Sequence, residues 1–168
     1  MDIFIINSEK SREVSEDLLA QYTYKAFRNN SQKLMHQFSY LMLDRILKDF
    51  YKIENRAIVH SAGKPELVSN EKQISISHSG GFIALAFSDY ECGIDIEKIT
   101  KRDYKKISER MGFVSKSLKD FYCNWTKYEA EYKLKDKIES IYQFEIPEYV
   151  TTAVCKNANE KYEVYYSL

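Results

Sequence analysis

The amino-acid sequence predicts an α+β protein in which antiparallel strands pack against helices. Three observations lead to this fold class. Short segments with apolar residues at every second position are typical of strands, whereas longer segments with apolar residues every three or four positions are typical of helices. In addition, two turn signals, Gly80-Gly81 and Asn157-Ala158-Asn159, each separate two strand-like segments and predict hairpins.

The first part of the chain is predicted to form a strand followed by two helices. Residues 2–7 read as a short buried strand, and residues 12–27 as a helix with Ser11 as its N-cap. Ser31 opens a second helix with one apolar stripe. That stripe consists of Leu34, Phe38, Leu41, Met42, Ile46 and Phe50.

Strands and helices alternate through the rest of the chain. The predicted elements are, in order, strand 57–60, turn 62–65, strands 74–77 and 82–87 around the Gly80-Gly81 turn, strand 92–97, helices 103–111 and 117–139, and a closing hairpin of 150–155 with 161–166.

Composition excludes several classes of protein. The 25 Lys and Arg residues balance the 25 Asp and Glu residues, and a zero net charge argues against a protein that coats nucleic acid. No apolar run reaches the roughly 18–20 residues of a membrane span, and residues 1–7 do not resemble a secretory signal. The cysteines, Cys92, Cys123 and Cys155, are odd in number and lack CxxC spacing, which favours free thiols in a reducing cytoplasm.

One stretch departs from the charge balance. Residues from Lys98 to Lys119 include eight basic side chains and only two acidic ones. Such a run is either a solvated helix face or a surface for an acidic partner. The basic residues are Lys98, Lys101, Arg102, Lys105, Lys106, Arg110, Lys116 and Lys119.

The segment Gly93-Ile94-Asp95-Ile96-Glu97 places two carboxylates on one side of a strand. Because side chains alternate, Ile94 and Ile96 should point into the core while Asp95 and Glu97 share the other face. The repulsion between the two carboxylates must be offset by solvent, by a lysine or by a metal ion. Oxygen ligands of this kind suit Mg²⁺ or Mn²⁺.

A second cluster lies on the helix predicted at 117–139. Trp125, Glu129 and Lys133 are spaced i, i+4 and i+8 and therefore share one face. They could form a surface Glu–Lys pair beside a half-buried Trp, worth only about 0.3–0.5 kcal/mol. Alternatively, Glu129 is a third carboxylate for the same metal and Lys133 is a cation for a phosphate, which together predict a diphosphate substrate.

The third motif is Ile76-Ser77-His78-Ser79-Gly80-Gly81, at the end of a strand. It could be a plain hairpin turn in which the histidine bonds to backbone. A hydrolase is disfavoured because no serine lies in a G-x-S-x-G elbow. The hydroxyl of Ser77 and the imidazole of His78 could instead hold a phosphate.

Taken in chain order, the three motifs resemble those of the 4′-phosphopantetheinyl transferases. They are Ile-Ser-His-Ser-Gly from Ile76, Gly-Ile-Asp-Ile-Glu from Gly93 and Trp-Thr-x-x-Glu-Ala-x-x-Lys from Trp125. The closer resemblance is to the monomeric, surfactin-synthetase-activating type, and it runs from about Gly63 to Lys133. It implies two similar α+β halves in a pseudo-twofold arrangement, residues 1–88 for the nucleotide end of coenzyme A and residues 89–168 for the metal and diphosphate.

The resemblance implies a metal site and a catalytic group. Asp95, Glu97 and Glu129 match the family's metal carboxylates, with Mg²⁺ as the expected ion and Mn²⁺ as a possible substitute. Lys133 matches the lysine that contacts the diphosphate and would offset its growing charge. Glu129 is the preferred general base, directly or through water, and Glu97 is the competitor.

The resemblance also implies contacts to coenzyme A. Ser77 and His78 match residues that hold its phosphates, with His78 at the 3′-phosphate. Lys64 matches a lysine near the adenine, and Trp125 matches an anchor that positions the carboxylate helix.

The sequence departs from the family pattern at several positions. Tyr128 replaces the lysine that usually precedes the glutamate, and the nearby Lys127 lies about 100° away on the helix. The Gly-x-Gly that often follows the last lysine is absent. The first-half basic residues that usually hold the 3′-phosphate have no clear match; the candidates are Lys25, Arg28 and Lys33.

From these residues we expect an enzyme that transfers the 4′-phosphopantetheine arm of coenzyme A to a serine of an apo acyl or peptidyl carrier protein, releasing adenosine 3′,5′-bisphosphate. The alternative is a catalytically impaired protein of the same fold that binds coenzyme A or a carrier protein. The acidic carrier is expected to dock near Lys98–Lys119. The protein is expected to be cytoplasmic and monomeric, without nucleic-acid or membrane partners.

Overall fold

The computed structural model describes residues 1–22, 27, 29–61 and 63–167. Its helices are a 3₁₀ helix (Ser8–Glu13), α1 (Glu16–Ala20), α2 (Asn30–Asp49), α3 (Tyr104–Met111) and α4 (Leu118–Leu134). Its strands are β1 (Asp2–Asn7), β2 (Ile58–Ser61), β3 (Lys64–Leu67), β4 (Gln73–Ser79), β5 (Phe82–Ser88), β6 (Cys92–Lys98), β7 (Ser140–Ile146), β8 (Tyr149–Cys155) and β9 (Glu163–Ser167).

The strands form two main sheets and a separate hairpin. The larger sheet has the order β4-β5-β1-β9, the second has the order β6-β8-β7, and β2 pairs with β3. All pairs are antiparallel except β1 and β9. The predicted α+β class with antiparallel strands and packed helices is therefore confirmed, and so is the hairpin at Gly80-Gly81, where Ser79 pairs with Phe82.

The predicted closing hairpin of 150–155 with 161–166 is wrong. Strand β8 lies between β6 and β7, and β9 instead runs parallel to β1, where Asp2 pairs with Glu163. Strand β8 pairs instead with β7, which immediately precedes it in sequence. Pro147 and Glu148 form the two-residue turn between these two strands. Proline fixes the first turn residue and Glu148 adopts the left-handed conformation (φ 68°) that the second position requires.

Three helix predictions need correction. The helix expected at 12–27 is a 3₁₀ helix followed by the short α1; Ser15 rather than Ser11 caps α1, and residues 23–26 lie outside the described residues. Helix α2 is capped by Asn29, whose side chain accepts the Gln32 N–H, rather than opened by Ser31. Helix α4 ends at Leu134 instead of continuing to 139, because Lys135 is left-handed (φ 58°).

The two largest apolar clusters of the described residues pack on the larger sheet and between the two sheets. Helix α2 packs on the larger sheet through residues such as Phe38 and Leu47. The second cluster lies between the two sheets and includes Ile3 and Ile5 of β1 together with both isoleucines of β6. Ile94 and Ile96 are fully buried there, as the alternation in the sequence predicted.

The cysteines are free thiols within the described residues. Burial raises the pKa of Cys92 to about 12, so its thiol is unreactive at neutral pH. No helix in the described ranges has both the length and the apolar character to cross a membrane.

Candidate active site

Three serines of β4 face the free edge of β6. Ser75, Ser77 and Ser79 occupy alternate positions, so their side chains lie on one face of the strand. The Ser75 hydroxyl accepts the N–H of Ile94 (3.0 Å), and the Ser79 hydroxyl accepts that of Lys98 (3.0 Å). Side chains of β4 thus hold the β6 edge that β8 leaves open, and they join the two sheets.

The hydroxyls of the last two serines also donate to the carboxylates of β6. Ser77 Oγ lies 2.6 Å from Asp95 Oδ1, and Ser79 Oγ lies 2.7 Å from Glu97 Oε2. The sequence placed Asp95 and Glu97 on a common face of the strand. Two serine donors on the neighbouring strand are what orient these acids in the folded protein.

Helix α4 lies directly on β6 at Gly93. A Cβ atom at Gly93 would come within 2.0 Å of the Ala130 carbonyl oxygen, so only glycine permits this approach. The close contact brings the next residues of α4 over the strand. Lys133 Nζ donates to Asp95 Oδ1 (2.8 Å) and to the Ile94 carbonyl (3.0 Å).

Asp95 is the most buried carboxylate of this cluster, with 5% of its surface exposed. Ser77 and Lys133 both bond to Oδ1, whereas Oδ2 is buried without a hydrogen-bond partner. A buried polar atom without a partner costs about 1–3 kcal/mol. The unpaired oxygen is therefore a position where a cation would be stabilised.

The other two carboxylates are harder to ionise than ordinary glutamates. Burial raises the pKa of Glu97, the charge of Asp95 raises it further, and the Ser79 hydrogen bond opposes the shift. Burial and the charge of Asp95 also raise the pKa of Glu129, against the effect of Lys133. The negative charge of Asp95 therefore contributes to the raised pKa of both glutamates.

These residues fit a divalent cation that receives the rest of its ligands from elsewhere. Among the described residues, no three His, Cys, Asp or Glu side chains converge into a ready metal site. Mg²⁺ rarely uses such a complete protein cage, since it binds one or two carboxylates together with substrate phosphates and water. The oxygen-only donors and the unpaired Asp95 Oδ2 match this preference.

A cleft of about 450 Å³ opens beside the carboxylates. All three histidines of the chain line it, and no acidic side chain is among its described lining residues. At its far wall the Tyr40 hydroxyl and His60 Nε2 are 2.7 Å apart. The lining consists of His36, Ser39, Tyr40, His60, Gly63, Pro65, Ile76, Ser77, His78 and Lys133.

Ser77 and Lys133 belong to both features. Each bonds to Asp95 Oδ1, and each lines the cleft. A molecule in the cleft therefore meets the same hydroxyl and ammonium groups that hold the buried carboxylate. His78, exposed at the next position of β4, lines the same cleft.

The structure does not bring Lys64 into the cleft, although Gly63 and Pro65 line it. The Lys64 ammonium donates to the Glu91 carboxylate (2.8 Å) and to the Cys92 carbonyl (3.2 Å), and only 7% of the residue is exposed. In this position Lys64 satisfies another backbone group at the open edge of β6.

The remaining candidates occupy different places. Trp125 packs against Phe121, with ring centroids 5.8 Å apart, next to the apolar cluster that holds α4 on β8. Lys127 forms an exposed pair with Glu131 (3.7 Å). Lys33 is exposed near the start of α2, and Lys25 and Arg28 lie outside the described residues.

The sequence motifs do not predict two sets of residues at the site. The sequence assigns Ser79 to a turn, although serine at alternate positions 75, 77 and 79 indicates a common strand face. Tyr40 and His60 gave no such signal, because the pair is 20 residues apart and joins a helix to a short hairpin.

Comparison with models of known protein families gives no match to this chain. A comparison with curated protein sequences likewise finds no significant similarity.

Proposed function

We propose that the protein is a Mg²⁺-dependent 4′-phosphopantetheinyl transferase that uses coenzyme A and an apo carrier protein. The observation that carries this proposal is the shared position of Ser77 and Lys133, which link the buried Asp95 to a cleft without acidic lining. A substrate with a nucleotide and a diphosphate needs both an anion-accepting cleft and an adjacent cation site. The three sequence motifs are the reason for proposing the 4′-phosphopantetheinyl transferase family in particular.

In this proposal coenzyme A lies in the cleft with its diphosphate toward Lys133. His78 and the Ser77 hydroxyl contact its phosphates from β4, and the Tyr40–His60 pair bounds the far end. Binding fixes the reacting phosphorus near Glu129, which is how positioning lowers the barrier for phosphoryl transfer. A Mg²⁺ ion held by Asp95, Glu97 and Glu129 would neutralise the charge of the diphosphate.

Glu129 is the proposed acceptor for the proton of the carrier serine. Burial and the charge of Asp95 raise its pKa in the metal-free protein, and it would accept the proton directly or through water. Glu97 competes less well, because one of its oxygens already accepts the Ser79 hydroxyl. The Lys133 ammonium would stabilise the departing adenosine 3′,5′-bisphosphate.

Several finer expectations belong to the same proposal. The pseudo-twofold arrangement of halves 1–88 and 89–168, a monomeric state and a cytoplasmic location accompany the family assignment. The carrier would approach near Lys98–Lys119, where every basic side chain except that of Lys98 is exposed.

The test is to incubate the protein with coenzyme A, Mg²⁺ and a purified apo acyl carrier protein, and to weigh the carrier by mass spectrometry. The expected result is a mass increase equal to one phosphopantetheine, lost with Asp95→Asn and on chelation of the metal. Tight coenzyme A binding without transfer would favour the impaired alternative, for which the replacement at Tyr128 is the supporting observation. Neither binding nor transfer would overturn the proposal.

A further inference from the structure

A second cavity, of about 730 Å³, opens where the β4–β5 turn meets the turn between β7 and β8. It shares no described lining residue with the cleft. Sites for small molecules typically have volumes of roughly 300–1,000 Å³ and mostly apolar walls, with a few charged groups that orient the ligand. The walls and the charges of this cavity follow that pattern.

The walls of the cavity are largely aromatic and are held in place. The rings of Phe82 and Tyr149 meet edge-on, with their centroids 5.0 Å apart. The Tyr149 hydroxyl accepts the Gly81 N–H (3.0 Å), which ties this ring to the β4–β5 turn. Tyr166, which is 51% exposed, lines the cavity from β9. Because these walls are formed without a ligand, less conformational entropy is lost when one binds.

The charge of this cavity is opposite to that of the cleft. Its described lining includes three carboxylates and one ammonium group, whereas the described lining of the cleft has Lys133 and histidines but no acid. The charged groups of the cavity belong to Glu9, Glu145, Glu148 and Lys98. Glu145 pairs with Lys119 (2.8 Å), whereas Glu9 forms no ion pair with another described residue. The cavity therefore attracts cations.

The cavity already binds one ammonium group, that of Lys98. Lys98 Nζ lies 3.4 Å from Glu148 Oε2 and 5.8 Å from the centroid of the Tyr149 ring. A carboxylate beside an aromatic face is a favourable combination for an organic ammonium ion. Both side chains of the ion pair are accessible to solvent, and ion pairs of this kind are weak. A ligand amine can therefore displace Lys98 from these two groups.

We propose that the cavity binds a small primary amine with an aromatic body. The body packs against Phe82 and Tyr166, and the ammonium group binds the Glu148 carboxylate and the face of the Tyr149 ring in place of Lys98. The site is separate from the cleft, and this inference does not depend on the proposed transfer reaction.

The test titrates 2-phenylethylamine into the isotopically labelled full chain and follows the backbone amide signals by NMR. Signals of the two turns, residues 80–82 and 148–149, should shift and saturate with a Kd of about 1 mM or lower. The alcohol 2-phenylethanol has a similar shape without the charge. It should bind at least about fivefold more weakly.

Two variants should change the Kd of the amine in opposite directions. Glu148→Gln removes the carboxylate and should raise the Kd about fivefold. Lys98→Met keeps the length of the side chain but removes the competing ammonium group, so it should lower the Kd about threefold. Glu71→Gln and Lys101→Met are matched controls at exposed positions outside the cavity, and they should leave the Kd unchanged.

Each of several results would overturn the proposal. Without a saturable shift, or with shifts at the cleft in place of the two turns, the amine does not bind in the cavity. Equal affinity for the amine and the alcohol, or equal Kd values in Glu148→Gln and Glu71→Gln, would exclude recognition of the ammonium group. An unchanged or higher Kd in Lys98→Met would show that Lys98 does not occupy the ammonium position.

Discussion

Ser79 is a positioning residue for Glu97 in the proposed metal site. Its hydroxyl donates to the carboxylate and lowers the pKa that burial and Asp95 raise. Replacing Ser79 with alanine should therefore raise the pKa of Glu97 further and weaken Mg²⁺ binding about 10- to 100-fold, the usual effect of losing a partner of a metal ligand.

The Mg²⁺ dependence of transfer and of thermal stability measures this effect. Ser75→Ala is the control, because Ser75 holds the Ile94 N–H of the same strand without touching an acid. The Ser79→Ala pH–rate profile should shift to higher pH. Equal metal affinity in both variants would mean that Ser79 only binds the backbone at the edge of β6 and does not support the metal site.

The raised pKa values of Glu97 and Glu129 have a defined effect on stability without metal. A carboxylate whose pKa is higher in the folded than in the unfolded state favours folding at low pH, and this contribution is lost as pH rises through the folded pKa. The double variant Glu97→Gln, Glu129→Gln should therefore be more stable than the wild type at pH 7, with a higher urea midpoint. The difference should shrink toward pH 4.5, the ordinary pKa of glutamate.

Urea unfolding in the presence of a chelator, at several pH values, measures this difference. Saturating Mg²⁺ should reverse it, because only the wild type keeps all three carboxylate ligands. A stability gap that does not change between pH 7 and pH 4.5 would contradict the assigned electrostatics.

At the scale of elements, the contact between α4 and β6 decides whether the site exists. Gly93→Ala would place a methyl group against the Ala130 carbonyl, and the helix could relieve this clash only by moving away from the strand. We expect a loss of about 3 kcal/mol in the free energy of unfolding and a marked loss of transfer, since Lys133 would leave Asp95.

Gly112→Ala provides the comparison. Gly112 has a left-handed conformation (φ 71°) but open space around its Cα, so alanine should cost only about 1 kcal/mol and leave the site intact. Denaturation curves and transfer rates distinguish the two variants. A Gly93→Ala protein with wild-type stability and activity would refute the tight contact.

The elements also show what the sequence could predict about the fold. The alternation of Ile94, Asp95, Ile96 and Glu97 correctly separated core from acidic face, because a strand has a fixed period. The sequence does not predict strand β7. Its exposed residues do not alternate clearly with buried ones, and the strand directly follows a helical pattern. The sequence also does not predict that β9 pairs with β1. The two strands are far apart in sequence, and such pairing leaves no local sequence pattern.

The candidate site was predictable in part for similar reasons. Helical spacing correctly placed Glu129 and Lys133 on one face, but it could not show that Lys133 bonds to Asp95 on another element. The sequence assigned Ser77 to a phosphate, whereas its hydroxyl donates to Asp95 while the residue lines the cleft. Tertiary hydrogen bonds of this kind depend on how elements meet.

For the whole molecule, the zero net charge hides a local basic surface. Reversing two exposed charges, with Lys101→Glu and Lys105→Glu together, should raise the carrier KM at low salt and flatten the loss of activity with added salt. The KM for coenzyme A should not change. Initial rates over a salt series, with Lys48→Glu plus Lys52→Glu as a control of equal charge, would test this. If both charge-reversed proteins gave the same salt profile, the residues from Lys98 to Lys119 would be a solvated surface and not a docking site for the carrier.

The parallel pairing of β1 with β9 affects how the polypeptide folds during synthesis. Strand β1 is synthesised long before its second neighbour in the sheet, β9 (Glu163–Ser167). Until then the larger sheet exposes the amide groups of β1 along an open edge. A nascent chain arrested before residue 160 should therefore be cleaved readily by protease and require chaperone protection, and synthesis of β9 should complete the larger sheet in a single late step.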